Sequence, residues 1–70
     1  MLRENKLRAK IVENNLNIEQ LSKKIGIDKT TFYRKIARNT FTINEVDRIA
    51  KALNMSVQDV SDIFFAAQGA

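Results

Sequence analysis

The stretch Asn17-Ile18-Glu19-Gln20-Leu21-Ser22-Lys23-Lys24-Ile25-Gly26-Ile27-Asp28-Lys29-Thr30-Thr31-Phe32-Tyr33-Arg34-Lys35-Ile36 holds two helix starts and one helix stop. Ile18, Leu21, Ser22 and Ile25 are apolar or small at the i, i+3, i+4, i+7 spacing of an amphipathic helix. Asn17 is its N-cap, Gln20 stands three residues on, where its side chain can reach back to the cap, and Leu16 and Leu21 flank the pair as a hydrophobic staple. Gly26 follows the last apolar residue, where the chain leaves a helix through a left-handed conformation that glycine adopts without a steric penalty. Ile27 then returns to the core. Asp28 caps a second helix with Phe32 and Ile36 on one side. Ser22 is small where the two helices should approach most closely, and a large side chain there would force them apart. Two capped helices joined by a tight turn, the second with a polar and basic outer side, read as a helix-turn-helix. DNA binding is the leading functional reading.

The capping device recurs along the chain. Thr42 with Glu45 and Ser56 with Asp59 repeat the box, and Phe41 with Val46 and Met55 with Val60 repeat the staple. The pattern predicts helices over about 3–14, 18–25, 29–38, 43–53 and 57–66, giving an all-α, compact five-helix bundle. The expected core is Leu7, Ile11, Leu16, Leu21, Ile25, Ile27, Phe32, Ile36, Ile43, Val46, Ile49, Ala50, Leu53, Val57, Val60 and Phe64. No stretch alternates with period two between turn signals, so no strand is expected.

At 70 residues the chain reads as one domain, residues 1–70 with the motif at 17–36, near the lower end of what a hydrophobic core supports without metal or disulfide. It has no cysteine and no histidine. Disulfides, zinc fingers, Cys or His nucleophiles and the usual acid–base triads are therefore excluded, and an enzyme is not expected. No metal or cofactor is called for. No run approaches the roughly 18 apolar residues of a membrane span, and the charged N-terminal segment lacks a signal peptide's apolar block. A cytoplasmic location, in a bacterial or phage-infected cell, is the expectation, and residues 66–70 read as a frayed tail.

Charge is unevenly spread. Up to Arg38 ten basic residues face four acidic ones, a net +6, whereas the remainder is net −2. This asymmetry concentrates attraction for a polyanion on the half that carries the motif. A solvated basic face that merely keeps a small protein soluble is the bland alternative.

In these segments the chain resembles the DNA-binding domain of Cro and CI type phage repressors, the Xre-like, lambda-repressor-like helix-turn-helix family. The likeness is carried by Ile18 to Arg34, by Phe41-Thr42-Ile43-Asn44-Glu45 and by Leu53-Asn54-Met55-Ser56-Val57. It implies five packed helices, with the third lying in the major groove of double-stranded DNA. A chain this short that starts at Met1 is similar to a Cro-like regulator, or to the DNA-binding half of a repressor, more than to a full repressor with a separate oligomerisation domain.

The resemblance assigns base contacts to Lys29, Thr30, Tyr33 and Arg34. Chemistry agrees: an arginine can fork onto guanine O6 and N7, a lysine can do so less rigidly, and Thr30 or the Tyr33 ring can meet a thymine methyl. Thr31 is expected to be local, its N–H bonded by the Asp28 cap. Phosphate contacts are expected at the start of the second helix, through Asn17 and the backbone N–H groups of Ile18 and Glu19. At the far end relatives grip the backbone where this chain has Lys35, Arg38, Asn39 and Thr40. Lys6 and Lys10 on the first helix are candidates for a third grip. One departure stands out. Relatives usually carry an apolar residue three positions after the one matching Phe32, but that position is Lys35 here and the apolar side chain is Ile36. At about 100° per residue, packing through Phe32 and Ile36 would centre the exposed face on Thr30, Arg34 and Arg38, with Thr31 flanking and Tyr33 drawn toward the core.

Phe65 lies about 100° from Phe64 on the last helix, and Ile63 widens its stripe on the other side. Both are candidates for the contact of a homodimer on a palindromic operator, since relatives place dimer contacts near this end. Alternatively, Phe65 covers the base of the first helix. A competing reading of the whole chain is a helical protein-interaction module of the same fold, antirepressor-like or antitoxin-like, that spends its basic face on an acidic partner.

Overall fold

A computed structural model describes residues 2–65, which form five α-helices: α1 (Glu4–Glu13), α2 (Ile18–Ile25), α3 (Lys29–Arg38), α4 (Ile43–Ala52) and α5 (Val57–Phe64). Strands are absent among the described residues. The expected extension of the last helix to Ala66 and the frayed tail beyond it lie outside them.

The helix starts follow the caps. Asn17, Thr42 and Ser56 each accept a hydrogen bond from the third helical N–H, at Gln20, Glu45 and Asp59. The side chains of those three residues accept in return from the cap N–H, so all three capping boxes are closed. Asp28 differs. Its carboxylate accepts from the Thr30 N–H at 3.0 Å, not from Thr31 as the sequence suggested. A cap side chain reaches either the second or the third N–H, and α3 has Thr31, not Glu or Gln, at the third position, so no box is closed there. The first helix has no side-chain cap.

The helix ends share a second device. Asn15, Gly26, Asn39 and Asn54 all have φ between +52° and +76°. In each case the next residue donates back five positions, Leu16 to Ile11, Ile27 to Ser22, Thr40 to Lys35 and Met55 to Ala50, at 2.9–3.2 Å. The left-handed residue donates back three, to Val12, Lys23, Ile36 and Lys51. This is the Schellman pattern four times over, and asparagine, the non-glycine residue best suited to left-handed backbone, fills three of the four sites. Leu16, Ile27 and Met55, the residues just past three of these turns, pack against the core.

That core is built from Leu7 and Ile11 on α1, Ile18, Leu21 and Ile25 on α2, Phe32 and Ile36 on α3, Val46 and Ile49 on α4, Leu53, and Ile63 and Phe64 on α5, with Leu2 closing one end. The Phe41 ring meets Phe32 at 5.5 Å and Phe64 at 5.8 Å, both edge-on, and so links the start of α4 to α3 and α5. Helix α2 packs on α3 and α4, while α5 packs on α1 and α4. Ser22 is 1 % exposed at the heart of this arrangement, its hydroxyl donating to the Glu19 carbonyl at 2.8 Å.

Three expectations are corrected. Ile43 and Val57, placed in the core from their spacing, are 75 % and 88 % exposed. Each is the first residue of its helix, but so is Ile18, which is 7 % exposed; what separates them is whether a neighbouring element extends over that end of the helix. Ile63, a candidate dimer contact, is 2 % exposed. The buried stripe of α5 runs through Ile63 and Phe64, with Val60 half-buried. The Arg3 N–H donates to the Ile63 carbonyl at 2.8 Å, tying the N-terminal segment over this part of α5. Ile63 is thus covered within the monomer.

Candidate nucleic-acid interface

The outer side of α3 is set by what its inner side buries. Phe32 and Ile36 are sequestered, Thr31 and Lys35 are half-buried, and Lys29, Thr30, Tyr33, Arg34, Ala37 and Arg38 face solvent. The exposed face therefore includes Thr30, Arg34 and Arg38, as packing through Ile36 requires, but Tyr33 stays on it at 42 % exposure and is not drawn into the core. Tyr33 instead borders a shallow groove with Val12, Leu16 and Asn17. Neither Arg34 nor Arg38 is held by an acidic partner among the described residues, so both guanidinium groups remain available as donor forks. Lys29 lies 3.9 Å from Glu19, with both side chains more than half exposed, a pairing too open to hold the ammonium.

At the start of α2 the capping box determines which donors are left over. Asn17 Oδ1 accepts from the Gln20 N–H at 2.8 Å, and Gln20 Oε1 accepts from the Asn17 N–H at 2.9 Å. The amide Nδ2 of Asn17 and the first two helical N–H groups, of Ile18 and Glu19, are not used by the box. They stand at the positive end of the helix dipole, an arrangement suited to an anion. The Ile18 side chain is 7 % exposed, so any contact at that residue is through its backbone.

The other flank is the turn after α3. The Asn39 and Thr40 N–H groups are consumed by the Schellman bonds to Ile36 and Lys35, which leaves their exposed side chains as the donors. The Lys35 ammonium sits 3.2 Å from Glu45 Oε1, with both side chains largely covered. The same carboxylate oxygen accepts from the Thr42 N–H at 2.8 Å. That backbone donor first, and Lys35 second, hold the Glu45 carboxyl below its ordinary value against the opposing effect of burial. One carboxylate thus joins the end of α3 to the start of α4 and stiffens the turn between them.

Lys6 and Lys10 are placed elsewhere. They line a groove with Asp59, Asp62 and Ile63 between α1 and α5, and Lys10 lies 3.3 Å from Asp59 and 3.7 Å from Glu13. The Asp59 hydrogen bond raises the Lys10 pKa despite some desolvation. Arg48 was not singled out from the sequence. Its Nη1 donates to the Ile25 carbonyl at 3.2 Å, satisfying one of the orphan acceptors at the end of α2 beside the Gly26 turn. The contact spans 23 residues and leaves no local signal.

The assembled surface is a donor-rich helix flanked by two sets of further donors. Among the described residues no cluster of acidic side chains is suited to a metal ion. Among the described residues no helix is long and apolar enough to cross a membrane. A family model described as a Cro/C1-type HTH DNA-binding domain matches residues 6–64. No curated protein and no solved structure gave a match.

Proposed function

The chain belongs to the Cro/C1-type helix-turn-helix DNA-binding domains and is a DNA-binding regulator, and from that premise we propose that it recognises a specific duplex sequence with α3 seated in the major groove. The observation that carries this reading is the solvent face of α3, where Thr30, Arg34 and Arg38 are exposed and both arginines lack an acidic partner among the described residues. Arg34 forks onto guanine O6 and N7. Lys29 adds a second, less rigid donor, and Thr30 and the Tyr33 ring meet thymine methyl groups. Asn17 Nδ2 with the Ile18 N–H grips a phosphate at one flank. Arg38, Asn39 and Thr40 grip another, with Lys35 sharing its ammonium between Glu45 and the backbone. These flanking contacts fix the register of α3 without reading sequence.

The role that fits best is a Cro-like or repressor-like regulator of phage or prophage type, the domain acting as one unit over residues 1–70. A palindromic operator read by a twofold homodimer is part of the proposal. With Ile63 covered, its contact is recast on Phe65, which borders an apolar groove with Ile43, Val46, Ala50 and Val60.

Selection of bound duplexes from a random library, followed by titration of the winner at two salt concentrations, tests the reading. Enrichment of one motif with steep salt dependence is expected, and two half-sites about one helical turn apart would support the dimer. Weak retention with no enrichment would transfer the protein to the interaction-module reading, with the Phe65 groove as its working surface.

A further inference from the structure

The five-helix fold divides the basic residues of α1 between two sides. Lys6 and Lys10 are four apart and so nearly in line, whereas Arg8 lies about 160–200° from them around the helix axis. The consequence is visible in the two grooves that flank α1. Lys6 and Lys10 face the acidic residues of α5, and Lys10 is paired there. Arg8 instead shares a groove with Val12, Leu16, Asn17 and Tyr33, which brings it to the rim of the surface formed by α3 and the start of α2.

We propose that Arg8 is a DNA-backbone contact that extends the interface onto α1. The proposal rests on the DNA-binding reading above and adds a residue to it. Three observations support it. The Arg8 Nε donates to Glu4 Oε2 at 2.8 Å one turn earlier on the same helix, and among the described residues neither terminal nitrogen is engaged. A guanidinium held by its Nε presents its two terminal nitrogens together, the geometry that grips a phosphate through two parallel bonds. The groove beside it is mostly apolar, and Val12, one turn along α1, is 71 % exposed although the larger apolar side chains of the helix, Leu7 and Ile11, are buried. A sugar–phosphate strand matches that surface: its deoxyribose carbons cover Val12 and Leu16 while Arg8 takes the charge. One carboxylate, Glu4, stands beside Arg8, half exposed and outside the groove, whereas the groove beside Lys6 is itself lined by three, Glu13, Asp59 and Asp62, and is the less favourable of the two for a phosphate.

Arg8→Gln and Lys6→Gln remove the same charge from the two sides of one helix, and the Arg8–Glu4 pair is too exposed for its loss to unfold the protein. Each variant, with its fold checked by thermal melting, is titrated against the parent's selected duplex and against random duplex over a series of salt concentrations. Phosphate-ethylation interference then maps the backbone contacts. For Arg8→Gln the expected result is roughly tenfold weaker binding to both DNAs, a salt slope shallower by about 0.9, and the disappearance of one interfering phosphate beside the site of α2. Lys6→Gln should change the slope by far less and leave the interference pattern intact. Equal slope changes in the two variants, or an unchanged interference pattern in Arg8→Gln, would overturn the assignment. A parent that binds no duplex at all would defeat the DNA reading itself, which separates the two failures.

Discussion

Replacing Gly26 isolates the energetics of the turn between α2 and α3. The residue has φ +76°, ψ +28°, and a Cβ built there meets nothing nearer than the Arg48 Nη1 atom at 4.0 Å. There is room for a methyl group, so a steric clash contributes nothing to the cost of Gly26→Ala. What remains is the local penalty of holding an L-residue in left-handed backbone, about 1–2 kcal/mol. The lower conformational entropy of the unfolded alanine chain offsets about 0.4–1 kcal/mol of this. The expected net loss is therefore about 1 kcal/mol, which for a domain of this size lowers Tm by roughly 4–8 °C. Gly26→Asn is the internal control. Asparagine already occupies the equivalent left-handed position at residues 15, 39 and 54, so it should recover most of the loss. Urea and thermal unfolding of the three proteins followed by circular dichroism measure both effects. Equal destabilisation by alanine and asparagine, or a loss above about 3 kcal/mol for alanine, would refute the reasoning, because it would mean that packing rather than φ governs this site.

Arg34→Ala should lose about 1–3 kcal/mol on the selected duplex with little change on random DNA, whereas Lys35→Ala should weaken both; equal losses for the two variants on both DNAs in parallel titrations would reverse the assignment of base and backbone roles. Lys35→Ala should also reduce stability by about 0.5–1 kcal/mol through loss of its partly covered pair with Glu45, seen as a lower urea midpoint. The depressed Glu45 pKa sets a direction for acid sensitivity. A carboxyl held below its ordinary value contributes stability that is fully present above that value and is lost as pH falls through the folded-state pKa. Glu45→Gln should accordingly show a shallower fall in Tm below about pH 4.5, the ordinary glutamate value, and an unchanged pH response near neutrality. Arg48→Met, which leaves the Ile25 carbonyl without its 3.2 Å donor, should cost about 1 kcal/mol and speed amide exchange in the Gly26 turn more than at the start of α2.

Much of the architecture is legible locally because helix ends are local events. An N-cap and its partner three residues on are adjacent in sequence, so Asn17–Gln20, Thr42–Glu45 and Ser56–Asp59 could be paired by inspection, and all three boxes form. The helix stops are only half legible. Gly26 is unambiguous, but Asn15, Asn39 and Asn54 do the same work, and asparagine is also common in ordinary loops, so its left-handed role emerges only when the backbone is seen to reverse. Ile43 and Val57 show the limit of periodicity. Spacing places a residue on a face, but whether another element covers that face at the very first position of a helix is a matter of where the neighbours end.

The candidate interface divides the same way. Residue type and spacing alone determined that α3 carries Thr30 and Arg34 outward, because Phe32 and Ile36 must turn inward on a helix of fixed pitch. The partners of the cations came from the packing of distant segments. Lys35 meets Glu45 across the turn, Lys10 meets Asp59 on α5, Arg48 reaches back 23 residues to Ile25, and Arg8 reaches the rim that Tyr33 and Asn17 share. Charge acts through space over distances that bear no relation to separation along the chain. A sequence therefore lists the charges of this surface, and the packing of α1 and α4 around the motif determines which of them are left free to meet DNA.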